Sequence, residues 1–316
     1  MFHPDVNAQT PFLGIEIGGT KLQIVVGDAA AVIVDRQRFT VDRTRGAPGI
    51  RQQLESALPS LVAKWKPAAV GVGFGGPLDS KSGRIARSHH VEGWLDFDLS
   101  GWLNSITGLP VFADNDANVA ALGEARCGAG AGFNPVFYVT LGSGVGGGLV
   151  VDGHVYHGTT PGESEIGHLR LDRSGTILEN RCSGWAVDAK VRSVLEARKP
   201  GSLSERGGEA RGGEAKWLSK ALEQGESWAR EILDDTAEDL ALGLSHVVHL
   251  FHPEIIIIGG GLSLIGEPLR AAVAGSLPNF LMEAFRPGPD VRLAALGEDA
   301  VPVGALLLAG KCVLSR

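Results

Sequence analysis

Phe12-Leu13-Gly14-Ile15-Glu16-Ile17-Gly18-Gly19-Thr20-Lys21-Leu22-Gln23-Ile24-Val25-Val26 decides the fold, because a stretch far downstream is built the same way. Phe12 to Ile17 alternates toward a strand, Gly18 and Gly19 make a turn, and Leu22 to Val26 is a second apolar strand. Later, Val136 to Leu141 is a strand, Gly142-Ser143-Gly144 is the turn, and Gly148 to Val151 continues as a strand. Each hairpin is followed by a helix and a strand ending in glycines. These run from about Gly49 to Trp65 and then Pro67 to Gly76 in the first half, and from about Trp228 to Leu250 and then Pro253 to Gly261 in the second. Each half closes on a strand leading into a helix, Pro110 to Ala113 into Asp116 to Arg126, and Val291 to Ala295 into Ala300 to Cys312.

A plan used twice predicts two similar α/β domains, with the glycine turns of both opening on one cleft. The 316 residues exceed one ordinary core and agree with that division. The expected boundaries are a smaller N-terminal α/β domain over residues 1–117, completed by a C-terminal helix over 299–316, and a larger α/β domain over 118–298. Backbone N–H groups in glycine turns form anion-binding concavities, so two matched turns suit a polyphosphate.

Composition narrows the class. Hydrophobic residues at 44% and charged residues at 21% describe a soluble globular protein, without an apolar run long enough to span a bilayer. Met1 to Pro11 is polar and carries Pro4, Asp5 and Asn7, unlike a secretory leader, so a cytoplasmic protein is expected. A net charge of −7 offers no footprint for nucleic acid. Cys127, Cys182 and Cys312 are spaced for neither a disulfide framework nor a zinc quartet. The 45 glycines, about double the average usage, suggest many tight turns near ligands. Arg206-Gly207-Gly208-Glu209-Ala210 is repeated as residues 211–215 and reads as a surface loop without chemistry.

Two segments match a dinucleotide fingerprint, at Gly71, Gly73 and Gly76 and at Gly142, Gly144 and Gly147. Neither opens a helix that could receive a pyrophosphate, because Pro77-Leu78-Asp79 follows the first and a further strand follows the second. A Walker lysine loop and a protein-kinase catalytic loop are also missing from the sequence. The segment richest in chemistry is Asp114-Asn115-Asp116-Ala117-Asn118, which closes a strand and opens a helix. Four short polar side chains exceed the needs of one helix cap. A carboxylate at a helix N-terminus stays ionised and can take a proton from a substrate hydroxyl, the role assigned to Asp116.

With these residues in place, the sequence resembles the ROK family of bacterial sugar kinases and related repressors. The resemblance rests on Glu16 to Lys21, Asn115 to Asn118, Thr140 to Gly148, Glu165-Ile166-Gly167-His168 and Gly259-Gly260-Gly261. It implies an actin-like ATPase (ribonuclease H-like) fold whose two domains surround a nucleotide and sugar cleft, with dimer contacts on the larger one. The implied reaction transfers the γ-phosphoryl group of ATP to the 6-hydroxyl of a hexose. Glucose leads, with fructose, mannose or an N-acylhexosamine behind it.

By this resemblance Asp116 is the catalytic base, and Gly18, Gly19, Thr20 and Lys21 with Gly142, Ser143 and Gly144 bind phosphates. Gly260 and Gly261 border adenosine. Asn115, Asp116, Glu165, His168, Glu179 and Gly76 hold the sugar. Glu16 and Asp116 would receive magnesium arriving with ATP, directly or through water. The implied partners are sugar and ATP, with a homodimer or larger homo-oligomer and without nucleic acid or membrane.

Three departures stand out. The cysteine-rich loop that usually precedes the leucine-glutamate pair is missing at Asp172 to Ile177, leaving Cys182 and His168, so structural zinc is not expected. Glu16 replaces the usual aspartate. His90 stands where asparagine is usual and is either a sugar contact or a surface loop residue. A non-catalytic sugar sensor of the same family is the alternative function. It fits less well, because only Met1 to Pro11 precede the first strand and Asp116 is retained.

Overall fold

Two five-stranded sheets of the same strand order organise the chain in a computed structural model that describes residues 10–86, 92–159, 164–198 and 213–314. The first sheet contains β1 (Phe12–Ile17), β2 (Lys21–Gly27), β3 (Ile33–Thr40), β4 (Val70–Phe74) and β8 (Val111–Asn115), in the order β3-β2-β1-β4-β8. β1 runs antiparallel to β2, placing Glu16 opposite Gln23, and parallel to β4, which is parallel to β8. Helix α1 (Gly46–Trp65) connects β3 to β4. A small sheet of β5 (Leu78–Asp79), β6 (Arg84–Ile85) and β7 (Phe97–Asp98) follows, then α2 (Leu99–Thr107), and β8 leads into α3 (Asp116–Cys127).

Alternation decides which face of β1 and β2 is covered by α1. Leu13, Ile15, Ile17, Leu22, Ile24 and Val26 form one core with Ile50, Leu54 and Leu58 of α1 and with Phe74 and Trp94. Burying each such side chain contributes about 1.5–3 kcal/mol.

The second sheet contains β9 (Val136–Leu141), β10 (Val145–Val151), β11 (His154–Val155), β12 (Ile255–Gly259) and β13 (Asp290–Leu293), in the order β11-β10-β9-β12-β13. In both sheets the third, second, first, fourth and fifth strands lie in that order, so the duplication read in the sequence is present in the topology. Between β11 and β12 come α4 (Leu178–Cys182), α5 (Gly184–Arg198), α6 (Lys216–Glu223) and α7 (Ser227–Phe251). Helix α8 (Glu267–Ser276) precedes β13. β12 is parallel to both neighbours, and Ile255 to Ile258 are fully buried, as a central strand covered on both faces requires.

Helix α9 (Ala300–Leu314) returns to the first sheet, where Val303, Leu306 and Ala309 pack with Phe12 and Val25. A Cβ on Gly304 would overlap the carbonyl of Val119 in α3, and one on Gly71 would overlap the carbonyl of Ala305. Part of the high glycine content therefore serves close approach of α9 to α3 and β4, not turns near a ligand as expected. The chain divides into one compact unit of Met1–Gly132, Gly148–Ser164 and Ala295–Arg316, and another of Phe133–Gly147 and Glu165–Ala294. The expected boundary after residue 117 falls within the first turn of α3, whereas the whole of α3, which lies along α9, groups with the first unit. Among the described residues, helices long and apolar enough to cross a membrane are absent.

Candidate active site

In the first unit the parallel strands β1, β4 and β8 end at Ile17, Phe74 and Asn115, and the expected site residues follow those ends. The Gly18 N–H donates to the Lys21 carbonyl at 2.8 Å, closing the β1–β2 turn. The Gly75 N–H donates to the Ile17 carbonyl at 2.9 Å. A Cβ on Gly75 would sit 3.2 Å from Asp116 Oδ2, 3.5 Å from the Ile17 carbonyl oxygen and 3.6 Å from Gly18 Cα, so Asp116 and the glycine turn share one point.

The neighbours of Asp116 hold it there. Asn115 is the N-cap of α3, its Oδ1 accepting from the N–H groups of Ala117 and Asn118 at 2.9 and 3.4 Å. Its Nδ2 donates to the Gly76 carbonyl at 3.3 Å, tying two expected sugar ligands to each other. Asp114 is buried, and its Oδ1 accepts from the Asn115 N–H at 2.8 Å and from Asn118 Nδ2 at 3.0 Å. Its Oδ2 lies 2.6 Å from Nε2 of His157, a residue the sequence reading missed because Tyr156-His157-Gly158 carries no motif. Three of the four polar residues thus serve the local fold. Asp116 is half-buried in the first turn of α3, where the helix dipole favours a negative charge.

Glu16 is half-buried and accepts a hydrogen bond from Nε2 of Gln23, its partner on β2. Gln23 Oε1 accepts from Arg36 Nη1 at 3.3 Å, and the same nitrogen lies 2.7 Å from Asp299. Burial pushes the Glu16 carboxyl above its ordinary value, opposed by the Gln23 hydrogen bond and the charges of Lys21 and Arg36. Lys21, expected at the phosphates, pairs with Glu298 at 2.8 Å; Thr20 is exposed, and the Gly19 carbonyl accepts from Arg43 Nε at 3.1 Å.

In the second unit, Val145 is the hub. Its N–H donates to Glu179 Oε2 at 2.9 Å, and a Cβ on Gly167 would overlap its carbonyl. Glu179 and the turn Glu165-Ile166-Gly167-His168 are therefore brought to the same residue of the β9–β10 turn. A Cβ on Gly144 would sit 2.5 Å from Glu179 Oε2, so the Glu179 carboxylate lies directly against the turn. Glu165 and His168 are exposed and paired, with Oε2 3.3 Å from Nδ1. His90 lies outside the described residues.

The same turn borders a cavity of about 540 Å³. The Gly142 carbonyl accepts from the Gly184 N–H at 2.7 Å, which sets the start of α5 against the turn. Gly260, at φ +79°, touches Leu141 so closely that a Cβ would lie 2.6 Å from its backbone. Gly142, Ser143, Gly184 and Gly261 line the cavity together with Trp185, Leu262 and Leu264. Trp185 and Leu264 are 54% and 85% exposed, large apolar faces of the kind that take a flat ring. The sequence reading stopped at Gly184 and missed both.

Cys182 is buried, its Sγ 3.5 Å from the Thr236 carbonyl, and burial pushes the thiol up to about 12, so it behaves as a packed core group. Among the described residues, groups of three or more His, Cys, Asp or Glu side chains that could hold a metal ion are absent.

The ROK family model matches residues 12–311. A glucokinase of Halalkalibacterium halodurans is 30% identical over 307 residues, spanning 93% of each chain. The kanosamine kinase of Amycolatopsis mediterranei is 31% identical over 316 residues, covering 95% of this chain and 97% of that one. A solved ROK family glucokinase from Streptomyces griseus, in complex with glucose and AMPPNP, matches at a TM-score of 0.80 and 30% identity over 95% of this chain and 99% of that one. The duplicated sheets are accordingly those of an actin-like ATPase fold. Because the match runs from the first residue of β1 into α9 and takes in both glycine turns, the chain belongs to the ROK family.

Proposed function

We propose that the protein is an ATP-dependent glucose kinase that transfers the γ-phosphoryl group of ATP to the 6-hydroxyl of the sugar. One observation carries the reading: the Asp116 carboxylate stands beside the Gly18 turn, 3.2 Å from where a Cβ on Gly75 would be. A base beside an anion-binding turn suits attack of a hydroxyl on a phosphate. As the new P–O bond forms and the bond between the β-bridging oxygen and the γ-phosphorus breaks, Asp116 accepts the hydroxyl proton and ADP departs. The similarity to glucokinases, one of them with glucose and AMPPNP bound, supports the same reaction.

Each unit supplies its own part. In the second, the cavity at Trp185 and Leu264 is suited to the base of ATP, and the turn at Gly142 to Gly144 to its phosphates. Glu165, His168 and Glu179 are suited to sugar hydroxyls; Oε1 of Glu179 accepts no hydrogen bond from the described residues. In the first unit, Gly76 and Asn115 fix the position of Asp116. Glu16 and Asp116 are the residues that would hold magnesium, which neutralises phosphate charge when bound. Glu16 fits, since a half-buried carboxylate held above its ordinary value gains from a neighbouring cation. An ATP-dependent reaction on a free sugar also suits the cytoplasm, and the family resemblance supports a homodimer, which sedimentation would test.

A kinase acting on an amino sugar is the second reading, favoured by the similarity to the kanosamine kinase. A coupled assay of ATP consumption over hexoses and amino sugars decides between the two. Turnover on glucose that disappears in Asp116→Asn is expected. Turnover on an amino sugar alone would favour the second reading, and silence across the panel would overturn both.

A further inference from the structure

Asp188 lines the cavity but is only 5% exposed, because its carboxylate faces the protein. Oδ2 accepts from the Gly213 N–H at 2.7 Å, and Oδ1 accepts from the Ala215 N–H at 2.6 Å. Hydrogen bonds from backbone N–H groups to an ionised acceptor are stronger than neutral ones. One helical turn further along α5, Arg192 Nε donates to Glu214 Oε1 at 2.8 Å. Residues 213–215 are thereby stapled to one face of α5 by three bonds. Gly213, Ala215 and Lys216 also line the cavity, and Trp185 lies one turn before Asp188 on the same helix. Gly213 takes a left-handed conformation, φ +87°, which favours glycine and lets the N–H groups of Gly213 and Ala215 both turn toward Asp188. The end of the repeat, expected to be a loop without chemistry, is a wall of the cavity; residues 206–212 lie outside the described residues.

We propose that Asp188 is a positioning residue for the nucleoside triphosphate: it holds residues 213–216 in place as one wall of the base pocket. The wall lies against α5 through the two bonds to Asp188 and the pair between Arg192 and Glu214. Loosening it would enlarge the pocket beside Trp185 and weaken binding of the base, with the sugar ligands untouched. The proposal rests on the reading that this cavity takes the nucleotide.

The test is calorimetric titration of the full chain with AMPPNP, without sugar, for the wild type, Asp188→Asn and Arg192→Met. Asparagine keeps the shape but turns an amide N–H₂ toward one of the backbone donors. A Kd about tenfold weaker is expected for Asp188→Asn, and about threefold for Arg192→Met. In the coupled assay the KM for ATP should rise by a similar factor while the KM for sugar stays within about twofold. Unchanged AMPPNP affinity in Asp188→Asn overturns the proposal alone, as does a parallel loss of sugar affinity, which a general loss of structure would cause. Absence of AMPPNP binding by the wild type overturns the nucleotide reading of the cavity together with the proposal. Should Asp188→Asn fail to fold, Arg192→Met carries the same comparison, and wild-type affinity in it overturns the proposal.

Discussion

Asp116 and Glu16 are carboxylates of one unit in different electrostatic situations. The first sits at the positive end of α3; the second is half-buried on β1 and held above its ordinary value by desolvation. Asp116→Asn keeps the shape and removes the base, so kcat should fall by about a thousandfold or more while AMPPNP affinity measured without metal and melting temperature stay near wild type. Wild-type turnover in that variant would remove Asp116 from the chemistry. For Glu16 the folded state binds its proton more tightly than the unfolded state does. That contribution to stability is fully present below the unfolded value of about 4.5 and is lost as pH rises through the higher folded value. Glu16→Gln should therefore be more stable than wild type at pH 7 to 8 without nucleotide or metal, and equal to it below about pH 4.5. Urea unfolding across pH measures this, and equal stability at every pH would show that Glu16 is not strained by burial. Asp116 was legible because a motif marks it. Asp188, His157 and Trp185 were not, since each acts through a neighbour distant in sequence.

At the scale of elements, α3 and α9 show what a local pattern can and cannot convey. Both helices are apparent from composition, but their close approach depends on Gly304 meeting Val119. Gly304→Ala should cost about 2 kcal/mol or more, despite alanine being the better helix former, because its methyl meets a backbone carbonyl that cannot turn aside. A melting temperature equal to wild type would show that the helices separate easily. Glu124 adds a second tie. Fully buried on α3, it accepts from the N–H groups of Ala129 at 2.8 Å, Ala295 at 3.1 Å and Leu296 at 2.8 Å, anchoring the segment that leads into α9. Glu124→Gln points an amide at donors already in place and should lose about 2–4 kcal/mol in denaturant unfolding. Strands with strong apolar patterns, such as β1, β9 and the continuous run of β12, were legible. β3 was not, because an exposed edge strand reads as Asp35-Arg36-Gln37-Arg38, and β5 to β7, at two residues each, are too short to show a period.

For the whole molecule, duplication was the most legible property, because it rests on two matched patterns and not on any single one. What duplication conceals is the division of labour. Among the described residues, the cavity at Trp185 is lined from residues 141–143, 184–188, 213–219 and 261–265, all in the second unit, whereas Asp116 belongs to the first. Binding of the nucleotide without metal should then be independent of the catalytic base. Hydrogen exchange measured with AMPPNP, without metal or sugar, should slow at the β9–β10 turn, the first turns of α5 and residues 261–265, equally in wild type and Asp116→Asn. At about a hundredfold excess over Kd the ligand should add about 2.7 kcal/mol to stability in both proteins. Asp188→Asn should need about tenfold more AMPPNP to reach the same protection, following its expected loss of affinity. Protection confined to the β1–β2 turn, or lost in Asp116→Asn, would mean that the nucleotide is held mainly by the first unit and that the Trp185 cavity serves another ligand.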